Sequence, residues 1–146
     1  MLDTKPSILD KAISYRYDNL NEPQVADWRW DGLAFGAGGI QTTPTQLVRW
    51  ADNYRSGTVG GVRLQQAQLA GAKSTTLGQS NPSQSEVYGA GVVKTTDGHL
   101  FHNGEYGGFH TWFGISADRG TAVAIACNLY DINIDSVAQT VRSTWE

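Results

Sequence analysis

The clearest patterning along the chain lies between residues 43 and 57. Thr43 stands where an N-cap would stand, Pro44 falls at the first helical position, and Gln46 sits three residues after the cap. That is the arrangement of a capping box. Leu47, Trp50, Ala51 and Tyr54 recur at three-and-four spacing, which builds one apolar face of a helix, and Gly57 is placed to end it. A second short helix is predicted over 65–69. The first forty residues are less regular: Pro6 and Pro23 interrupt them, YRYDN at 15–19 reads as a short strand, and DWRWDGLAFGAGG runs into close glycines. Residues 71–86 are small, polar and aperiodic, the composition of a surface loop.

After that loop the period changes to two. VYGAGVVK, the turn residues Thr96-Asp97-Gly98 and HLFHNG predict a hairpin, since Asp-Gly tolerates positive φ. FHTWFGISA (109–117) and TAVAIAC (121–127) are joined by Asp118-Arg119-Gly120, a link short enough to force antiparallel pairing. The last strand has two unlike faces, Val123, Ile125 and Cys127 against Ala122, Ala124 and Ala126. An alanine face invites a closely packed helix. The terminal segment offers one, with Ile134, Val137, Ala138, Val141 and Trp145 along one side and Asn133 or Asp135 as cap. The pattern therefore predicts an α+β unit over 1–146. Residues 1–70 are mainly helical or irregular, 71–86 form a polar loop, and 87–146 form an antiparallel sheet of three to four strands flanked by helices.

Composition narrows the partners. Eleven basic against fourteen acidic residues give a net charge of -3 with no long run of one sign, which excludes a polyanion-binding surface and hence nucleic acid. The longest apolar run, Ala122 to Cys127, is far short of the roughly 18 residues of a membrane helix, so no membrane span is expected. Cys127 is the one cysteine, too few for an internal disulfide or a cysteine zinc cluster. The opening MLDTKPSILDK has no hydrophobic region of the secretory kind, and the compartment stays open.

Candidate chemistry is sparse. His99, His102 and His110 raise the question of a metal site, but His99 and His102 fall on opposite faces of a strand and no tight carboxylate cluster accompanies them, so neither metal nor cofactor is expected. The clusters GAGG (36–39) and GEYGG (104–108) complete no phosphate-binding fingerprint and read as turn and packing glycines. Cys127, in an apolar strand, reads as core. No GxSxG elbow occurs, and none of Lys5, Lys11, Lys73 and Lys94 has a serine three residues before it.

The order of the motifs says more than any one of them. GAGGIQTTPTQLVRWADNYRSG, then YGAGVV, then HNGEYGGFHTWFGISADRGTAVAIACN, then a terminal helix, resembles the C-terminal part of the serine β-lactamase-like superfamily over most of residues 32–145. The opening LDT and the later YRYDN are similar to the segment that follows the second active-site motif there. The class C β-lactamase, DD-peptidase and esterase branch is the nearest by motif. The resemblance implies a serine hydrolase using an SxxK helix, a YxN motif and a KTG-type box, with His102-Asn103-Gly104 matching the box in its HxG form. On that reading His102, Gly104 and Glu105 are catalytic. His102 orients a substrate carboxylate or supports proton transfer, and Glu105 offers its N–H to the oxyanion. Gly104 leaves room for an acyl group against the strand, and Asn103 and Tyr106 contact substrate.

Two look-alikes are set aside. Lys94-Thr95-Thr96 runs into a turn, and Tyr17-Asp18-Asn19 comes after the LDT-like segment rather than before it. The SxxK portion of the family pattern has no counterpart in these residues, so the chain is read as the back half of a hydrolase acting on a small-molecule or peptide acyl substrate. A complementary N-terminal segment, or self-association through the apolar 121–127 edge, is expected as partner. An inactive ligand-binding remnant and a truncated reading frame are the alternatives.

Overall fold

Helix α1 (Pro44–Ala51) begins as its sequence dictates: the Thr43 hydroxyl accepts from the Gln46 N–H at 3.3 Å, with Pro44 in the first turn. The structure, a computed structural model, describes residues 11–26, 36–74 and 86–144. Trp145 lies outside them. The chain turns at Asp52 into the one-turn helix α2 (Asn53–Ser56), closed by Gly57 at φ 65°. Helix α3 (Gly61–Ala70) is longer than the predicted 65–69 and starts from Gly60, at φ 76°, without a side-chain cap. The predicted apolar face of α1 is only partly used. Ala51 is buried, whereas Trp50 is 45% exposed.

The sheet is larger than the expected three to four strands. Six antiparallel strands follow one another in chain order: β3 (Lys73–Ser74), β4 (Glu86–Tyr88), β5 (Val93–Thr95), β6 (Leu100–Tyr106), β7 (Phe109–Ile115) and β8 (Ala122–Cys127). Two corrections to the sequence reading account for the difference. The stretch 87–94 is two strands, because the chain turns at 89–91 and lays β4 back on β5, Tyr88 opposite Val93. The polar 71–86 stretch has strand at both ends: Lys73 pairs with Tyr88, and Glu86 opens β4. Residues 75–85 lie outside the described residues. A separate hairpin, β1 (Tyr15–Tyr17) with β2 (Pro23–Val25), joins the chain just beyond β8, where the Tyr15 N–H donates to Asn128 O at 2.7 Å.

Register assigns the faces. His102 lies opposite Phe113 and Phe113 opposite Ala124, so these share one face with Gly104, Thr111 and Ala126. The other face carries Phe101, Asn103, Trp112, Ile125 and Cys127. Helix α4 (Ile134–Arg142), capped by Asn133, covers this second face: Ile134 and Ala138 pack with Phe101, Trp112 and Val93, and Val123, Ile125 and Cys127 lie against them. Phe101 and Trp112 stack at 5.8 Å with planes 13° apart. Cys127 is half-buried and packs against this core. The alanine face is not where α4 packs. α1 also lies against β8 and β7 and makes no comparable approach to α4, which places it over the alanines. The large side chains are what α4 needs to fill its interface, while small ones let α1 come close.

Candidate active site

The HNG box is built into a tight hairpin. Gly107 (φ 58°) and Gly108 (φ 80°) form the two-residue link between β6 and β7, a conformation that side chains with a β-carbon resist. Such a link makes Tyr106 and Phe109 a hydrogen-bonded pair, and alternation then fixes every residue below. The backbone groups of His102, Gly104 and Tyr106 point to β7, and those of Asn103 and Glu105 point away from it. On that outer side β5 pairs with β6 only at Leu100 and Phe101. From His102 onward the outer edge of β6 has no strand partner among the described residues, so the N–H groups of Asn103 and Glu105 lie along an open edge.

The five predicted site residues therefore divide. His102, Gly104 and Tyr106 project their side-chain positions to the α1 face, and Asn103 and Glu105 to the α4 face. His102 is half-buried, and its Nε2 is 3.2 Å from the Tyr88 hydroxyl, with the rings 5.8 Å apart and tilted by 42°. Gly104 is exposed; a β-carbon there would come within 2.9 Å of the Thr111 Oγ1 on β7. Asn103 turns its amide to α4, where it donates to both Asp135 oxygens at 3.1 and 3.3 Å. What Asn103 offers at the open edge is consequently backbone. The Glu105 side chain is exposed, and Tyr106 is 45% exposed at the end of the strand.

Behind the box lies an acidic pair. Glu86 is 4% exposed, and its Oε2 has no hydrogen-bond partner among the described residues. Burial holds its carboxyl above the usual carboxylate range, and the negative charge of Asp135 raises it further. Asp135 stands in the first turn of α4, where a carboxylate suits the helix dipole.

The other histidines do not converge on His102. His99 Nδ1 lies 3.1 Å from Asp97, and His110, on the α4 face, bonds through Nε2 to Tyr130 O at 2.8 Å. Among the described residues no three His, Cys, Asp or Glu side chains are grouped to hold a metal. A cavity of about 390 Å³ lies between the start of β6, the β7–β8 turn and α4, lined by His99, Phe101, Trp112, Asp118 and Arg142. The two look-alike motifs are occupied structurally: Thr95 bonds Asp97 in the β5–β6 turn, and Asp18 accepts from the Leu20 and Glu22 N–H groups.

A glycine-closed hairpin of β6 and β7, a further antiparallel strand and a capped terminal helix are compatible with the fold the sequence resemblance implied, and the model of the Beta-lactamase family matches residues 4–138. The chain belongs to the β-lactamase family. No curated protein and no solved structure matches it. As a β-lactamase-family chain it has the α+β fold of a serine hydrolase-like superfamily, and among its described residues no helix is long and apolar enough to cross a membrane.

Two residues beside this candidate site escaped the sequence reading. Tyr88 is 14 residues from His102 and Asp135 is 32 from Asn103, and no local spacing connects either pair. Asp135 had a partial signal, since it falls two residues after the cap of α4, but only the register of β6 shows what it faces.

Proposed function

We propose that the chain contributes one wall of an acyl-transfer site, in the manner of class C β-lactamases, DD-peptidases and esterases. The substrate class is a β-lactam, a D-amino-acid peptide or an ester. The observation that carries this reading is the open outer edge of β6, where the Glu105 N–H emerges beside the His102 strand position. An N–H held rigidly at such an edge can receive a developing oxyanion, and an extended acyl group can lie along Asn103 and Glu105 as an added strand. His102 flanks that group from the α1 face, Gly104 keeps the strand bare, and Tyr106 bounds the far end. The nucleophile comes from a complementary segment bearing SxxK, which also supplies strand pairing for β8; without it β8 pairs with a second copy of this chain.

Intact mass tests the division of labour. Incubated alone with a fluorophosphonate or a penicillin, the folded chain is expected to form no covalent adduct; a stoichiometric adduct would place a competent nucleophile within it. Refolded with the SxxK-bearing segment of a family member, it is expected to hydrolyse an ester or β-lactam, and His102→Ala to reduce that rate by well over tenfold. Saturable binding without turnover in the same mixture would make the chain a ligand-binding remnant instead.

A further inference from the structure

Tyr88 reaches His102 because three separate features hold it there. The turn after it is clamped to the end of α3: the Ala90 N–H donates to Gln68 O at 2.8 Å, and the Gln68 Nε2 donates back to Ala90 O at 2.8 Å. Gly89 lies so close to the Gln68 carbonyl that any β-carbon would collide with it. Cross-strand pairing with both Lys73 and Val93 fixes the backbone of Tyr88 from either side. Register puts Tyr88 with Val93 and Phe101 on the α4 face, where it packs against the core, and just past the last β5–β6 pair its hydroxyl ends 3.2 Å from His102 Nε2.

Building on the function proposed above, we propose that Tyr88 is the positioning residue of His102: its hydroxyl donates to Nε2, fixes the neutral ring as the Nδ1–H tautomer, and makes His102 a hydrogen-bond donor to the substrate rather than its general base. A phenol is a good donor and a neutral imidazole nitrogen a good acceptor, so this polarity is the favourable one for a neutral pair. With its lone pair engaged, Nε2 cannot accept a proton from a nucleophile until the Tyr88 bond breaks. The free donor, Nδ1–H, is the atom left to hold an acyl carbonyl or a substrate carboxylate. Of the two roles open to an HxG histidine, orientation is the one this contact selects, and the residue that selects it lies on β4.

The test needs no turnover. In ¹⁵N-labelled chain, the neutral His102 ring is expected to show a protonated Nδ1 and an unprotonated Nε2, the minor form for free histidine. Tyr88→Phe, which keeps the ring and loses only the hydroxyl, is expected to move the population towards Nε2–H. An Nε2–H ring in the parent overturns the proposal, as does an Nδ1–H ring that persists in Tyr88→Phe. Should Tyr88→Phe not fold, the parent tautomer still decides. Where the refolded mixture turns over, Tyr88→Phe is expected to raise KM several-fold with kcat held, and a fall in kcat at constant KM would return His102 to proton transfer. A mixture without turnover defeats the acyl-transfer reading and leaves the tautomer result standing.

Discussion

Two of the sheet's edges that are open among the described residues, those of β6 and β8, differ in everything but backbone. The outer edge of β6 is free only beyond Phe101, and the side chains around it are His102, Asn103, Glu105 and, across the opening, Tyr88. The outer edge of β8 is free along its whole length. Register sends the backbone groups of Val123, Ile125 and Cys127 to β7 and those of Ala122, Ala124 and Ala126 outward, with no charge, proline or bulge to discourage pairing. A short polar edge beside a held histidine suits one extended ligand. A long apolar edge suits another strand. The same hydrogen-bonding groups are thus directed to chemistry or to assembly by the side chains that flank them.

Both edges depend on β7, and the largest effect comes from removing its anchor. Trp112 is 4% exposed, stacks on Phe101 of β6 and lies over Gly114, whose missing side chain makes the room. Trp112→Ala is expected to lower the unfolding free energy by about 3–5 kcal/mol, the range for a buried aromatic in a core that collapses only partly. Denaturant titration reads it. A loss under about 1 kcal/mol would mean that the two edges are not held through one core.

Matched prolines separate the edges. Glu105 and Ala126 are both exposed, and each points its N–H away from β7, so a proline at either position removes an outward donor while the β6–β7–β8 ladder stays intact. Glu105→Pro is expected to reduce kcat of the refolded mixture by about 10²–10³, the effect of losing one oxyanion donor. It should leave the sedimentation of the isolated chain unchanged. Ala126→Pro is expected to turn a self-associating chain into a monomer at micromolar concentration and to leave the His102 tautomer as it was. If either proline produced both effects, the edges would be one coupled surface rather than two.

What the sequence disclosed about these edges follows the range of each interaction. The Thr43 cap, the Asp118-Arg119-Gly120 link, the alternation of β8 and the Asn133-capped stripe of α4 are signals within a few residues, and each was legible. Arg119 adopts φ 63° in its turn, which the sequence did not signal, with its guanidinium donating to Gly98 O and Ser116 O at 2.9 and 2.8 Å. The break in 87–94 was hidden because Gly89 and Gly91 are compatible with a strand until α3 is seen to press on Gly89. The alanine face announced a helix without naming which. His102 and Gly104 were placed by resemblance to the HxG box, whereas the side chains that meet the box, Tyr88 and Asp135, come from a strand beyond β5 and from the helix α4. Alternation gives the face of a residue, and only the fold gives what stands opposite.

The smallest effect concerns the support behind β6 alone. Glu86 is buried, its carboxyl is raised above the usual range chiefly by that burial and further by Asp135, and Asp135 in turn holds the Asn103 amide. An acid whose folded pKa exceeds its unfolded one binds more protons in the native state, so its contribution is fully present below the unfolded pKa, near 4.5, and is lost as pH rises through the folded value. Stability should therefore decline with rising pH across that window, and Glu86→Gln, which carries no titrating proton, should flatten the decline and raise the denaturant midpoint at neutral pH. Ionised Glu86 also repels the carboxylate that braces Asn103. The amide resonances of Asn103 to Glu105 are accordingly expected to follow its titration in the parent and to stop doing so in Glu86→Gln, while those of Ala122 to Ala126 stay still in both. Movement at Ala122 to Ala126 would show that the apolar edge senses the same charge, and the contrast between the two edges would then reduce to their side chains' polarity without any difference in what stands behind them.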